Sequence, residues 1–279
     1  MKKAFTLVEL VVAIAILAMM SGFAGVIFSV SVDSHRTALA NAEIMHKLRA
    51  ITDQLNRDFA GIRKDAPMAI QFRFDSARRD SIAFFATGDF QSIRQYWRND
   101  SDGLAQRTVR GNIASIYYGL ASEPNNILAR KQKIFTSDPC LTDWPLMADA
   151  DEFLRDSLAV WRVNVNDISF ANWIAPPFIN LDDLERDLPL YMIDGIDDFM
   201  IQIGIVEIID SKTIIKWLPE SVDDVFGFFY NIPTGIEPNN WSDESLNWPK
   251  ALKFTFTLYD SKGIVKEGRT FTHIVYIDN

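Results

Sequence analysis

The chain has 279 residues, a net charge of −9 and 48% hydrophobic residues, which allows a membrane helix plus one good-sized globular domain, or two small ones. The acidic balance argues against a nucleic-acid backbone as main partner, because phosphate binding calls for a basic stripe. Cys140 is the single cysteine, so no intrachain disulfide can form, and a core built from 20 Phe and 7 Trp has to hold the fold.

From Phe5 to Val32 the residues are apolar or small, with one charge, Glu9. At about 1.5 Å per residue, a helix over this stretch is long enough to cross a bilayer core. Lys2 and Lys3 precede it and would hold the N-terminus on the cytoplasmic side. A carboxylate one turn into such a span costs roughly 2.5–3.5 kcal/mol, so Glu9 needs a partner. Cleavage after Ala4 would create an α-amino group on Phe5, four residues before Glu9. That amine could meet Glu9 of its own chain or of a neighbouring one. A secretory signal has a shorter apolar stretch, about 7–15 residues, and a plain signal-anchor helix leaves Glu9 unexplained.

Lys2-Lys3-Ala4-Phe5-Thr6-Leu7-Val8-Glu9-Leu10 and the apolar run behind it resemble the N-terminus of type IV pilins and type II secretion pseudopilins. The resemblance implies cleavage by a prepilin peptidase between Ala4 and Phe5, N-methylation of Phe5, and a role for Glu9 in assembly. Phe5, Thr6, Leu7 and Glu9 match the family pattern position by position; Ala4 departs from it, standing where the family normally has Gly.

After Val32 the composition turns polar at Asp33-Ser34-His35-Arg36, yet the helical pattern continues. Ala38, Ala42, Met45, Leu48, Ile51, Leu55, Phe59 and Ile62 recur at three- and four-residue spacings and predict one apolar face. Lys47 and Asp58 fall among the intervening polar residues. No proline interrupts Phe5 to Gly61, so one long helix is expected, with its stop at Gly61 and Pro67 beyond. This gives a leader over residues 1–4, a transmembrane half-helix over 5–32, an amphipathic half over 33–62 and a β-rich domain over 63–279.

In that domain Ile70–Phe74 and the stretch around Ile82, Phe84 and Phe85 read as strands. Ser92–Gly111 is polar and reads as a loop. Ala114–Leu120 and Ile127–Arg130 read as two strands joined through Glu123–Asn126. Thr136–Pro189 is irregular, with a short helix expected over Ala148–Val160. Phe199–Ile205 and Thr213–Trp217 form strands around the turn Asp210-Ser211-Lys212, followed by a loop from Asn231 to Trp248. The chain closes on a hairpin, Lys253–Leu258 and Arg269–Val275 around Asp260–Gly263, with Phe254, Phe256 and Leu258 on one buried face. The fold class expected is α+β: a pilin-like long helix on antiparallel sheets.

The order of these features resembles the J type of minor pseudopilin. Leu55 and Asp58 near the helix end, Leu128-Ala129-Arg130, Asp194-Gly195-Ile196, a Trp-bearing strand and the strand pair after Pro249 carry that likeness. It implies a place in the tip complex of a pseudopilus, with other pseudopilins, the prepilin peptidase and the inner membrane as partners. The implied topology is a single pass with the domain in the periplasm. Glu9 argues against the K type of tip subunit, which lacks that glutamate.

No catalytic, cofactor or metal site is expected. His35, His46 and His273 lack converging ligands, and His273 reads as a hydrogen-bonded sheet residue. Asn99–Gly103 and Asn239–Glu244 have the oxygen density of calcium loops but lack a closing glutamate at EF-hand spacing; solvated turns are the simpler reading. Asp182-Asp183, Asp197-Asp198 and Asp223-Asp224 read likewise as loop carboxylates. No motif suggests an enzyme or a small-molecule substrate. Two alternatives stay open: a minor pilin with binding duties, presenting Trp173–Phe178 and Trp241–Trp248, and a membrane-tethered enzyme, which would need a pocket of converging polar side chains.

Overall fold

The computed structural model describes residues 6–75, 77–100, 103–124, 126–136, 152–154, 173–183, 187–209, 212–219, 226–230, 241–243 and 248–277. Its first element is a single helix, α1, from Leu7 to Ala60. With no proline inside it and Thr6 capping its start, the helix runs unbroken from the apolar stretch into the domain.

The chain then continues as strands. β1 is Met68–Phe72, β2 Phe74–Asp75, β3 Ala77–Arg78, β4 Ser81–Asp100 and β5 Gly103–Leu120. β6 is Ile127–Phe135, β7 Phe153–Leu154, β8 Tyr191–Asp194 and β9 Ile196–Ile209. β10 is Lys212–Leu218, β11 Phe226–Tyr230, β12 Trp241–Asp243, β13 Ala251–Leu258 and β14 Arg269–Tyr276. Among the described residues they build a large sheet in the order β12-β11-β1-β4-β5-β6-β7, with β8 also on β6, and a smaller sheet β10-β9-β13-β14. β2 and β3 form a separate two-residue ladder. The small sheet is antiparallel throughout; in the large one only β11–β12 and β6–β7 run parallel.

The buried end of α1 lies against both sheets. Phe59 stacks on Phe84 of β4 at 4.3 Å and meets Phe254 of β13 at 5.6 Å. Ile44, Ile51, Leu55 and Phe59 join Phe84, Ile116, Phe199, Phe254, Phe256 and Leu258 in one core. A second core covers the opposite face of the large sheet with Phe85, Tyr117, Trp173, Ile174 and Leu190. The large sheet is thus buried on both faces, while the C-terminal hairpin keeps the expected single buried face of Phe254, Phe256 and Leu258.

Several expectations are corrected. The buried stripe of α1 is Ala40, Ile44, Lys47, Ile51, Leu55, Asp58 and Phe59, so Ala38, Ala42 and Met45 face outward. Ile44 belongs to the stripe although two charged residues, Lys47 and Asp58, share its face. Ser92–Gly111 is not a loop: β4 and β5 pair out to Asp100 and Gly103, with register shifts near Thr87–Phe90 and Gln91–Gln95. Adjacent strands can pair by local backbone bonds without strict apolar alternation, and here Tyr96 and Val109 supply the buried side. At the second shift the Glu152 carboxylate accepts from Ile93 N at 2.6 Å and Arg94 N at 2.8 Å.

Phe153–Leu154, expected inside a short helix, is a strand that pairs in parallel alongside β6; apart from these two and Glu152, Ala148–Val160 lies outside the described residues, as do Cys140, Asp210 and Ser211. Trp241–Asp243, expected as loop, pairs with β11, itself unforeseen. The first strand stops at Phe72, before Phe74. The final turn is longer than four residues, because Asp260 accepts from the backbone of Lys262, Ile264 and Val265 and so shapes the loop.

Gly61 ends α1 where the chain passes against β4. Thr87 N donates to Gly61 O at 2.7 Å, and a Cβ on Gly61 would drive into the Thr87 carbonyl. Gly61→Ala is therefore expected to destabilise the domain by about 1–3 kcal/mol, the usual range for overpacking. Thermal denaturation checks this: an unchanged Tm would mean the helix end can shift without loss.

Candidate functional site

The exposed half of α1 is the feature the domain does not explain. Every large apolar side chain from Leu7 to Val30 is exposed, and burial begins only at Ala40. Burying such a side chain is worth about 1.5–3 kcal/mol, so an apolar run of this length needs lipid or other helices around it. α1 is the one helix among the described residues long and apolar enough to cross a membrane.

Its start is a capping box. Glu9 N donates to Thr6 Oγ1 at 3.3 Å, while the Glu9 carboxylate accepts from Thr6 N and Thr6 Oγ1, both at 2.9 Å. The charge therefore sits at the positive end of the helix dipole with two donors on one oxygen. Ala4 and Phe5 lie outside the described residues. Thr6 is the partner that reading the sequence missed, although Thr-x-x-Glu before an apolar run is a recognisable start signal.

At its other end α1 is fastened to the domain by polar contacts as well as by the core. Glu43 accepts from Ser261 N at 2.8 Å. Lys47 Nζ reaches Glu43 and Asp194, each at 3.1 Å, and the Tyr259 carbonyl. Asn56 meets His273 Nε2 at 2.9 Å, which makes His273 a hydrogen-bonded sheet residue. Deepest is Asp58, whose side chain is 1% exposed. It takes Arg130 Nε at 2.7 Å and Nη2 at 3.0 Å, with further donors from Tyr118 and Gln54. Burial pushes the Tyr118 phenol well above its ordinary range, so it stays protonated and donates. Asp58 and the Leu128-Ala129-Arg130 segment, separate in sequence, meet here.

Other residues singled out in the sequence do not converge. His35 and His46 are exposed on α1. Asp100 pairs with Gly103 at the tip of the β4–β5 hairpin, with Ser101 and Asp102 outside the described residues. Among the described residues no three His, Cys, Asp or Glu side chains gather as a metal site. Trp173 is largely buried, donating to Ser115 Oγ at 2.8 Å and lying near Phe85; it is core, not a contact surface.

The long apolar helix followed by antiparallel sheets is a pilin-like α+β fold. The model of the prokaryotic N-terminal methylation motif matches residues 1–25. Together these support a type IV pilin-like protein, a structural subunit carried on a single membrane-anchoring helix. No curated protein and no solved structure matches the chain.

Proposed function

We propose that the protein is a minor pseudopilin of the tip complex of a type II secretion pseudopilus. Prepilin peptidase cuts between Ala4 and Phe5 and methylates Phe5. The N-terminus faces the cytoplasm, α1 crosses the inner membrane once, and the domain stands in the periplasm. On assembly the apolar half of α1 leaves lipid for a bundle of like helices, and Glu9 meets the Phe5 amine of a neighbour, fixing register.

The observation that carries this reading is the exposed apolar half-helix, continuous with a half that is clamped into the domain and headed by the methylation motif. The order of features along the domain supports the J type. A minor pilin of a surface pilus with binding duties is the competing reading, and burial of Trp173 removes one of the aromatic contacts it would use.

Mass spectrometry of the mature N-terminus tests processing. The expected result is a chain beginning with N-methylated Phe5. An intact chain beginning at Met1, recovered from cells with active prepilin peptidase, would refute it and point to the Ala4 methyl group as the block. Gene neighbours separate the two assemblies: a secretin and secretion ATPase for the first, a retraction ATPase for the second.

A further inference from the structure

A cleft of about 590 Å³ opens where α1, the β3 end and the turns at Asn126, Gly195 and Tyr259 meet. That is the size range of small-ligand sites. Its charged and polar lining is Lys47, Arg79, Asn126, Asp194, Asp197 and Asp260.

The charges in this cleft are unevenly satisfied. Lys47 has three acceptors, Glu43, Asp194 and the Tyr259 carbonyl. Arg79 is held by its backbone, which donates to Arg73 O at 2.9 Å and bridges Phe199. Its side-chain Nε is buried and has no hydrogen-bond partner among the described residues. The surrounding carboxylates are engaged elsewhere. Asp80 takes Arg78 Nε, Arg73 N and Ile201 N, and Asp198 takes Arg78 N. Asp194 takes Lys47, Asp197 takes Asp198 N, and Asp260 takes three backbone amides. A guanidinium nitrogen withdrawn from water without an acceptor is unfavourable, and an acidic chain offers many carboxylates that could have been placed there.

The geometry points to a carboxylate-binding site, with Arg79 as its anchoring residue. A guanidinium edge presents Nε and one Nη in parallel, the spacing that matches the two oxygens of a carboxylate. A phosphate dianion fits less well, because Asp194, Asp197 and Asp260 line the same cleft and would repel the second charge. The carboxylate comes either from a free acid or peptide or from a second copy of this chain.

The test is NMR of the arginine Nε–Hε groups of the full chain in detergent micelles, titrated with sodium acetate and, at equal ionic strength, with sodium chloride. The Arg79 resonance, assigned through its backbone amide, is expected to move saturably with acetate and not with chloride. The Arg130 resonance, already held by Asp58, should stay in place. Arg79→Lys should weaken the acetate response at least tenfold. A linear response equal to that of chloride would overturn the proposal. Dilution of the protein without acetate distinguishes the sources. A resonance that approaches the acetate-bound position as protein concentration rises supports the second copy; one independent of concentration, with acetate still binding, supports a free ligand.

Discussion

Arg130→Ala is expected to lower the stability of the domain by about 3–5 kcal/mol, the usual consequence of stripping one partner from a buried ion pair. Asp58 would be left with Tyr118 and Gln54 as donors and no counter-charge, in a site where its side chain is 1% exposed. The loss should exceed what cutting an exposed pair costs, about 0–1 kcal/mol. The Arg63–Asp65 pair, where the Asp65 side chain is 58% exposed, is the internal comparison. Urea denaturation followed by tryptophan fluorescence measures both. Replacing both partners by apolar residues, Asp58→Leu with Arg130→Met, should recover much of the loss, because no charge is then buried. If Arg130→Ala unfolded at the wild-type midpoint, the pair would be incidental to the packing of α1.

Glu9→Ala is expected to leave membrane insertion and the domain intact but to reduce co-purification of partner subunits on the order of 10- to 100-fold. The magnitude follows from the roughly 2.5–3.5 kcal/mol at stake for a charge within a span, part of which an intersubunit amine would recover. The capping box sharpens the experiment. Glutamine can also occupy the third position of such a box, so Glu9→Gln keeps the acceptor for Thr6 while removing the charge. If the charge sets register, Glu9→Gln behaves as Glu9→Ala; if the helix cap alone matters, it behaves as wild type. Recovery of partners at the wild-type level from the Glu9→Ala strain would sink the assembly role.

The long helix was legible because two local signals agree along it: an absence of proline and an apolar run that passes into a spaced pattern. The C-terminal hairpin was legible because Phe254, Phe256 and Leu258 alternate cleanly with Lys253, Thr255 and Thr257. What escaped was set by distant contacts. Lys47 and Asp58 read as solvated until Asp194 and Arg130 arrive from elsewhere in the chain, and that shifted the phase of the helix stripe. The outer β4–β5 arms looked like loop because Glu152 steadies their bulge from a remote segment. At the candidate site Glu9 was conspicuous as an isolated charge, whereas Thr6 resembles any small polar residue until its hydroxyl is seen on the Glu9 amide. The Arg79 cleft carries no sequence signal, since it depends on which nearby carboxylates are already engaged.

The unbroken run of α1 from Leu7 to Ala60 also has a mechanical consequence. Contacts at Glu43, Lys47, Asn56 and Asp58 fasten it to strands and turns that are far apart in sequence. These fastenings are spread along the domain-bound half of the helix, from Glu43 to Asp58, rather than gathered at one residue. A pull directed along that axis therefore loads them together, in shear, instead of peeling them one by one.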